Sequence, residues 1–136
     1  MLFRSGLITA VHAIDRATLR LADSVLVQGT GAVGLSVVAL ARLSGASTVI
    51  AVGAPSDRLD LARRMGADIT LDLGTTTAEE RVTVVREATA GRGVDVGIEA
   101  SGSPRAGCMV SCSRRKVCAR VGPAVSSGVA YTVPPR

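Results

Sequence analysis

Aromatic side chains are nearly absent from this 136-residue sequence: Phe3 and Tyr131 are the full set, and there is no tryptophan. Without stacking platforms the usual contact with unpaired bases is missing, which argues against a nucleic-acid binder. A formal net charge of +5 does not restore that reading. Residues 1–99 hold ten basic and eleven acidic side chains, whereas residues 100–136 hold Arg105, Arg114, Arg115, Lys116, Arg120 and Arg136 and no acid. The basic character is therefore a property of the tail, and a short basic stretch is ordinarily a solvated face.

Long apolar runs are missing as well; none reaches the ~18–20 residues that a membrane span needs. The start, Met1-Leu2-Phe3-Arg4-Ser5-Gly6, leads into a mildly apolar stretch that Asp15-Arg16 cuts short, and no small-residue cleavage site follows. A cytoplasmic location with no membrane partner is the expectation. Cysteine is scarce and confined: Cys108, Cys112 and Cys118 form an odd set in the tail, which is no disulfide framework. Their spacing does not suit a zinc finger and the single histidine, His12, is remote in sequence, so free thiols are expected and no metal site is assigned.

What is present is an alternation of apolar runs and helical patterns. Residues 7–20 suggest a helix, with Leu7, Val11 and Ile14 at three-to-four spacing. A strand at 24–28, a helix at about 32–44 and a β-branched strand at 47–52 follow. Ser56 and Gly66 bracket the next helix as cap and stop. A short strand at 69–72 precedes a helix at about 78–90, where Glu79 and Glu80 complement the dipole and Val82, Val85 and Ala88 form an inner stripe. Val94 to Glu99 reads as a fourth strand, and Val117 to Val121 as a short fifth at best. Strands separated by helices of this length mean βαβ units, hence an α/β fold with a doubly wound parallel sheet. One domain over 1–122 is expected, with 123–136, which carries three prolines and no periodicity, as loop or disordered tail.

The most informative stretch is Gly29-Thr30-Gly31-Ala32-Val33-Gly34, set between the apolar run Ser24 to Gln28 and the apolar segment Leu35 to Leu43. Strand, glycine turn and helix in that order are the context of a dinucleotide-binding turn. Gly29 permits the tight turn, Gly31 lets backbone approach a pyrophosphate, and Gly34 lets helix and strand lie close. The helix start then offers unpaired N–H groups and the positive end of its dipole to phosphates.

Four blocks, in order, add a resemblance: Thr9 to Ala13, Asp23 to Gly34, Arg58 to Asp68, and Gly93 to Gly102. Together they resemble the cofactor-binding half of zinc-type medium-chain alcohol dehydrogenases over about residues 7–104. The resemblance implies a Rossmann-type fold, here incomplete at its C-terminal end, an NAD or NADP cofactor, and hydride transfer to or from an alcohol or carbonyl carbon. It further implies that Ala32 and Val33 give backbone N–H groups to the pyrophosphate and that Val33 and Thr9 pack on the nicotinamide. Ala100, Ser101 and Gly102 would line the adenosine and ribose side and, if Val117 to Val121 is the next strand, the backbone of Val121 and Gly122 would meet the nicotinamide end. Such enzymes often form homo-oligomers.

Two positions depart from the pattern. An acidic residue about twenty positions beyond the glycines normally holds the ribose hydroxyls. Gly53 stands there, followed five residues on by Arg58, so cofactor choice stays open between NAD and NADP with a lean to NADP. The family's catalytic zinc takes one cysteine from the place of Ser5 and its other protein ligands from a separate N-terminal domain. No catalytic residue and no zinc are therefore expected here, and the chain reads as a fragment or drifted copy, inactive alone; a change of reading frame after about Pro104 would produce such a tail. A non-catalytic nucleotide-binding or interaction module, or a zinc-free quinone reductase relative, are the alternative readings.

Overall fold

The computed structural model describes residues 2–102 and the backbone of residues 113–118, with side chains described from residue 6 to residue 102. The element order is α1 (Leu2–Arg16), β1 (Ser24–Gln28), α2 (Ala32–Leu43), β2 (Thr48–Gly53), α3 (Ser56–Met65), β3 (Ile69–Asp72), α4 (Ala78–Ala88), β4 (Val94–Glu99) and β5 (Ser113–Cys118). The strands form one parallel sheet in the order β3-β2-β1-β4-β5. This is the expected doubly wound α/β architecture. From β1 the chain moves outward through β2 and β3, then crosses back to place β4 on the other side of β1. The reversal makes the carboxyl ends of β1 and β4 the switch point, where open sheets of this type leave a crevice.

Alternation along the strands divides the core into two clusters. Val25 and Val27 pack with Val49, Ala51, Val96 and Ile98 beneath α1, α2 and α3, while Leu26 packs with Ile50, Val52 and Leu71 beneath Val85 of α4. Both faces of β1 are thus buried, as its unbroken apolar run requires. At roughly 1.5–3 kcal/mol for each fully buried aliphatic side chain, this central strand contributes much of the hydrophobic stabilisation.

Several boundaries differ from the sequence reading. α1 begins before residue 7 and stops at Arg16, and the chain turns at Thr18, which adopts φ 49. Its inner face is Ala10 and Ala13, continued by Ala17 just beyond the helix, whereas Leu7 and Val11 are about half exposed. The small face wins because α1 lies close on α2: a Cβ at Gly6 would already touch Ala32 and Val33 at 3.7–3.8 Å. β2 runs one residue later than expected, since the hydroxyl of Ser47 bonds to Ala22 O (2.8 Å) ahead of the strand. Pro55, not Ser56, is the N-cap of α3, and Gly66 closes that helix as expected. In α4, Ala88 faces solvent and Thr89 is buried instead, its hydroxyl donating to Val85 O (2.7 Å). β5 occupies 113–118, four residues before the expected start, in parallel register with β4 from Val94↔Ser113 to Glu99↔Cys118. The reading of 123–136 as a tail lies outside the described residues.

At the amino ends of the strands, side chains tie the layers together. Ser24 Oγ and backbone N–H both donate to Asp95 Oδ2, and the Asp95 N–H donates back to Ser24 Oγ, which locks β1 beside β4. Arg42, in the last turn of α2, donates to the carbonyls of Gly66 and Ala46 and pairs with Asp68. Asp68 in turn accepts from the Val49 N–H (2.8 Å).

Candidate cofactor-binding turn

Gly29 leaves β1 with its N–H donating to Val52 O (2.7 Å), so the turn starts while still bonded to the neighbouring strand. Its φ of +108° is a left-handed conformation that side chains rarely adopt. A Cβ there would also lie 2.7 Å from Ala100 C and Ser101 N. The two loops that leave β1 and β4 are therefore in backbone contact, and the Ala100 N–H donates to Gln28 O (2.7 Å).

Gly31 is the N-cap of α2, extended at φ −75° and ψ −174°, with no side-chain cap bond. A Cβ at this position would meet nothing within 4 Å. Gly31 and Ala32 are exposed and Val33 half-buried. The first turn of α2 carries no acid, so the orphan N–H groups of its start have no side-chain cap and lie at the positive end of the helix dipole, with open space beside Gly31. Gly34 does the opposite work: a Cβ on it would fall 1.9 Å from Gly29 O, so only glycine lets α2 close onto the turn.

Ala100 is half-buried and Ser101 and Gly102 are exposed. Sequence reasoning overlooked what holds them. Glu99, only 6% exposed at the end of β4, accepts a bond from the Ser101 N–H (2.7 Å) and a short one from the Ser101 hydroxyl. An acid closing the apolar run Val96-Gly97-Ile98, two residues before a serine, was the available signal. Thr30 was overlooked too; it is 5% exposed and its hydroxyl donates to Ala54 O (3.3 Å).

Gly53 ends β2 beside Thr30, and Arg58 projects from the first turn of α3 onto an exposed surface. Arg58 has no ion pair among the described residues, unlike Arg63, which lies near Asp60, and Arg42. Thr9 is half-buried on α1, one turn beyond Gly6 and hence on the side of the helix that meets Val33. The structure thus gathers Gly29, Gly31, Ala32, Val33, Gly34, Ala100 and Ser101 at the carboxyl ends of β1 and β4, with Gly53 adjoining them through Thr30. Val121 and Gly122 lie outside the described residues. A cavity of about 310 Å³ between α3 and β3, lined by Ser56, Leu59, Asp60, Arg63, Thr70 and Asp72 among others, is at the outer sheet edge and includes none of these residues.

A parallel sheet with a glycine turn at its switch point defines the class: a Rossmann-type α/β domain. Comparison with known proteins agrees. The zinc-binding dehydrogenase family matches residues 32–121, and the chain belongs to that family. The 5-exo-hydroxycamphor dehydrogenase of Pseudomonas putida is 43% identical over 96 residues, 70% of this chain and 27% of that protein. An alcohol dehydrogenase crystal structure from Thermotoga maritima shares the fold at a TM-score of 0.76 with 34% identity, covering 92% of this chain and 35% of that one. A structure described as a zinc-binding dehydrogenase from Sinorhizobium meliloti, solved bound to NADP, gives a TM-score of 0.76 at 26% identity, over 93% of this chain and 38% of that one. The chain spans about a quarter of the length of the curated relatives it matches.

The family's two ligands fit this chain differently. The open, uncapped start of α2 suits a pyrophosphate. Zinc finds no comparable donor set: no three His, Cys, Asp or Glu side chains gather among the described residues, and residue 5 is serine, whose hydroxyl is a poor ligand beside a thiolate. Among the described residues, no helix is long and apolar enough to cross a membrane.

Proposed function

We propose that this chain is the cofactor-binding part of a zinc-binding dehydrogenase and holds a pyridine dinucleotide at Gly29 to Gly34. The observation that carries the reading is the N-terminus of α2: no side-chain cap, no acid in its first turn, and open space at Gly31. The N–H groups of Ala32 and Val33 donate to the pyrophosphate, which takes the place of the missing cap. Val33 and Thr9 pack against the nicotinamide. Ala100, Ser101 and Gly102 line the adenosine and ribose side, and Glu99 keeps that loop in place. When bound, the nicotinamide supplies the hydride chemistry, and the protein supplies position.

NADP is the better-suited cofactor. Gly53 places no carboxylate against a 2′-phosphate, and Arg58, which has no ion pair among the described residues, stands close by in sequence to pair with one. Hydride exchange with an alcohol or carbonyl carbon is the activity proposed for the whole enzyme, and these residues alone do not turn over substrate, because they supply no Lewis acid to polarise its oxygen.

Calorimetry with NAD and NADP tests the reading against Gly31→Asp. An aspartate there caps the helix with its own carboxylate, so stability holds or rises while dinucleotide binding is lost. Equal binding by parent and variant would remove the site from the turn. Metal analysis and an NAD(P)H-coupled assay over alcohols and aldehydes should show neither zinc nor turnover, and stoichiometric zinc with turnover would contradict the division of labour.

A further inference from the structure

Position 53 is where the family resemblance puts a ribose-binding acid, and here it is glycine. The reason lies in the neighbouring turn. A Cβ built on Gly53 would sit 2.3 Å from Thr30 Oγ1, 2.6 Å from Thr30 Cγ2 and 2.9 Å from Thr30 Cβ. Rotation of Thr30 exchanges the hydroxyl and the methyl but leaves its Cβ where it is, and a β-branched side chain is stiff about that bond in any case. Backbone movement offers no easy relief. Gly53 O accepts from the Leu73 N–H (2.9 Å), Val52 O accepts from the Gly29 N–H (2.7 Å), and the Thr30 hydroxyl reaches Ala54 O (3.3 Å). Thr30 is 95% buried, with no room to swing outward.

We infer that Thr30 is a determinant of cofactor choice: its side chain fills the volume that any side chain at position 53 needs, and so keeps the ribose wall bare backbone that admits a 2′-phosphate. Gly53 and Thr30 then form one unit. An acid cannot enter at 53 unless residue 30 shrinks, and it must shrink to glycine, because an alanine would retain the Cβ at 2.9 Å. The inference rests on the dinucleotide reading for its ligand but not for its steric half.

Two variant sets test it, by thermal unfolding without ligand and by calorimetry with NAD and NADP. In the first, Gly53→Ala lowers Tm in the parent and leaves it nearly unchanged in a Thr30→Gly background, where the clash is gone. In the second, Gly53→Asp alone unfolds more easily and gains no NAD affinity, while Thr30→Gly combined with Gly53→Asp shifts the NAD-to-NADP affinity ratio at least tenfold toward NAD. The small Gly53→Ala change keeps the first set readable if Gly53→Asp does not fold. Equal Tm losses from Gly53→Ala in both backgrounds, or a Gly53→Asp variant with the parent's Tm and a new NAD preference, would overturn the inference alone. A parent chain that binds neither dinucleotide would instead overturn the function reading, and the role in cofactor choice with it.

Discussion

Helices α2 and α4 begin at the same edge of the sheet, each following a parallel strand, and their first turns are opposites. α4 is closed by its own side chains: Thr77 Oγ1 accepts from the Glu80 N–H (3.2 Å), Glu80 Oε2 accepts from the Thr77 N–H (2.7 Å), and Glu79 adds a second acid. α2 has a glycine cap, no acid and no side-chain bond. A capping box satisfies the orphan donors and carries negative charge to where an anion would sit, so α4 repels phosphate and needs none. The start of α2 is the costlier arrangement for the free protein, by roughly a few tenths of a kcal/mol for glycine in place of a capping side chain. The open helix start is thus the one beside the switch point of the sheet, and the closed one serves only the fold.

Changes at each helix start should separate these roles. The largest effect is expected from Gly34→Ala, since a methyl 1.9 Å from Gly29 O must push α2 off the turn. A loss of roughly 3 kcal/mol or more in denaturant unfolding is expected, together with loss of dinucleotide binding. Unchanged stability would mean that the turn is not held closed by α2. Arg58→Ala should weaken NADP by about 1 kcal/mol and leave NAD nearly untouched, the exposed position keeping the effect small. Calorimetry with both cofactors checks this, and a matching loss for NAD would move the contact away from the 2′-phosphate. Thr77→Ala should cost no more than about 1 kcal/mol of stability by removing half of the capping box, with dinucleotide affinity as in the parent. A change in affinity would connect α4 to the site after all.

Much of this was legible in the sequence because the signals are local. β-branched runs separated by helical stretches identify β1 to β4, and Gly29, Gly31 and Gly34 mark the turn by spacing alone. What escaped is set by contacts between distant segments. The inner face of α1 follows from how near α2 lies, which favours Ala10 and Ala13 over the more apolar Leu7 and Val11. The start of β5 is a matter of register with β4, and nothing in residues 113–116, Ser-Arg-Arg-Lys, carries an apolar alternation to announce it. Gly53 could be seen as a missing acid, but not as a residue kept bare by Thr30, more than twenty positions earlier. Glu99 passed for the end of a strand, and its hold on Ser101 shows only once the loop is folded back.

The contrast between the two helices is tested most directly by following backbone amides in an isotope-labelled sample as NADP, and then NAD, is added. The account predicts that the amide resonances of Ala32, Val33 and Gly34 shift strongly and saturably on addition, with those of Ala100 and Ser101 following, while those of Ala78, Glu79 and Glu80 stay in place. Saturable shifts at the start of α4 with none at the start of α2, or no saturable shift at either, would contradict it.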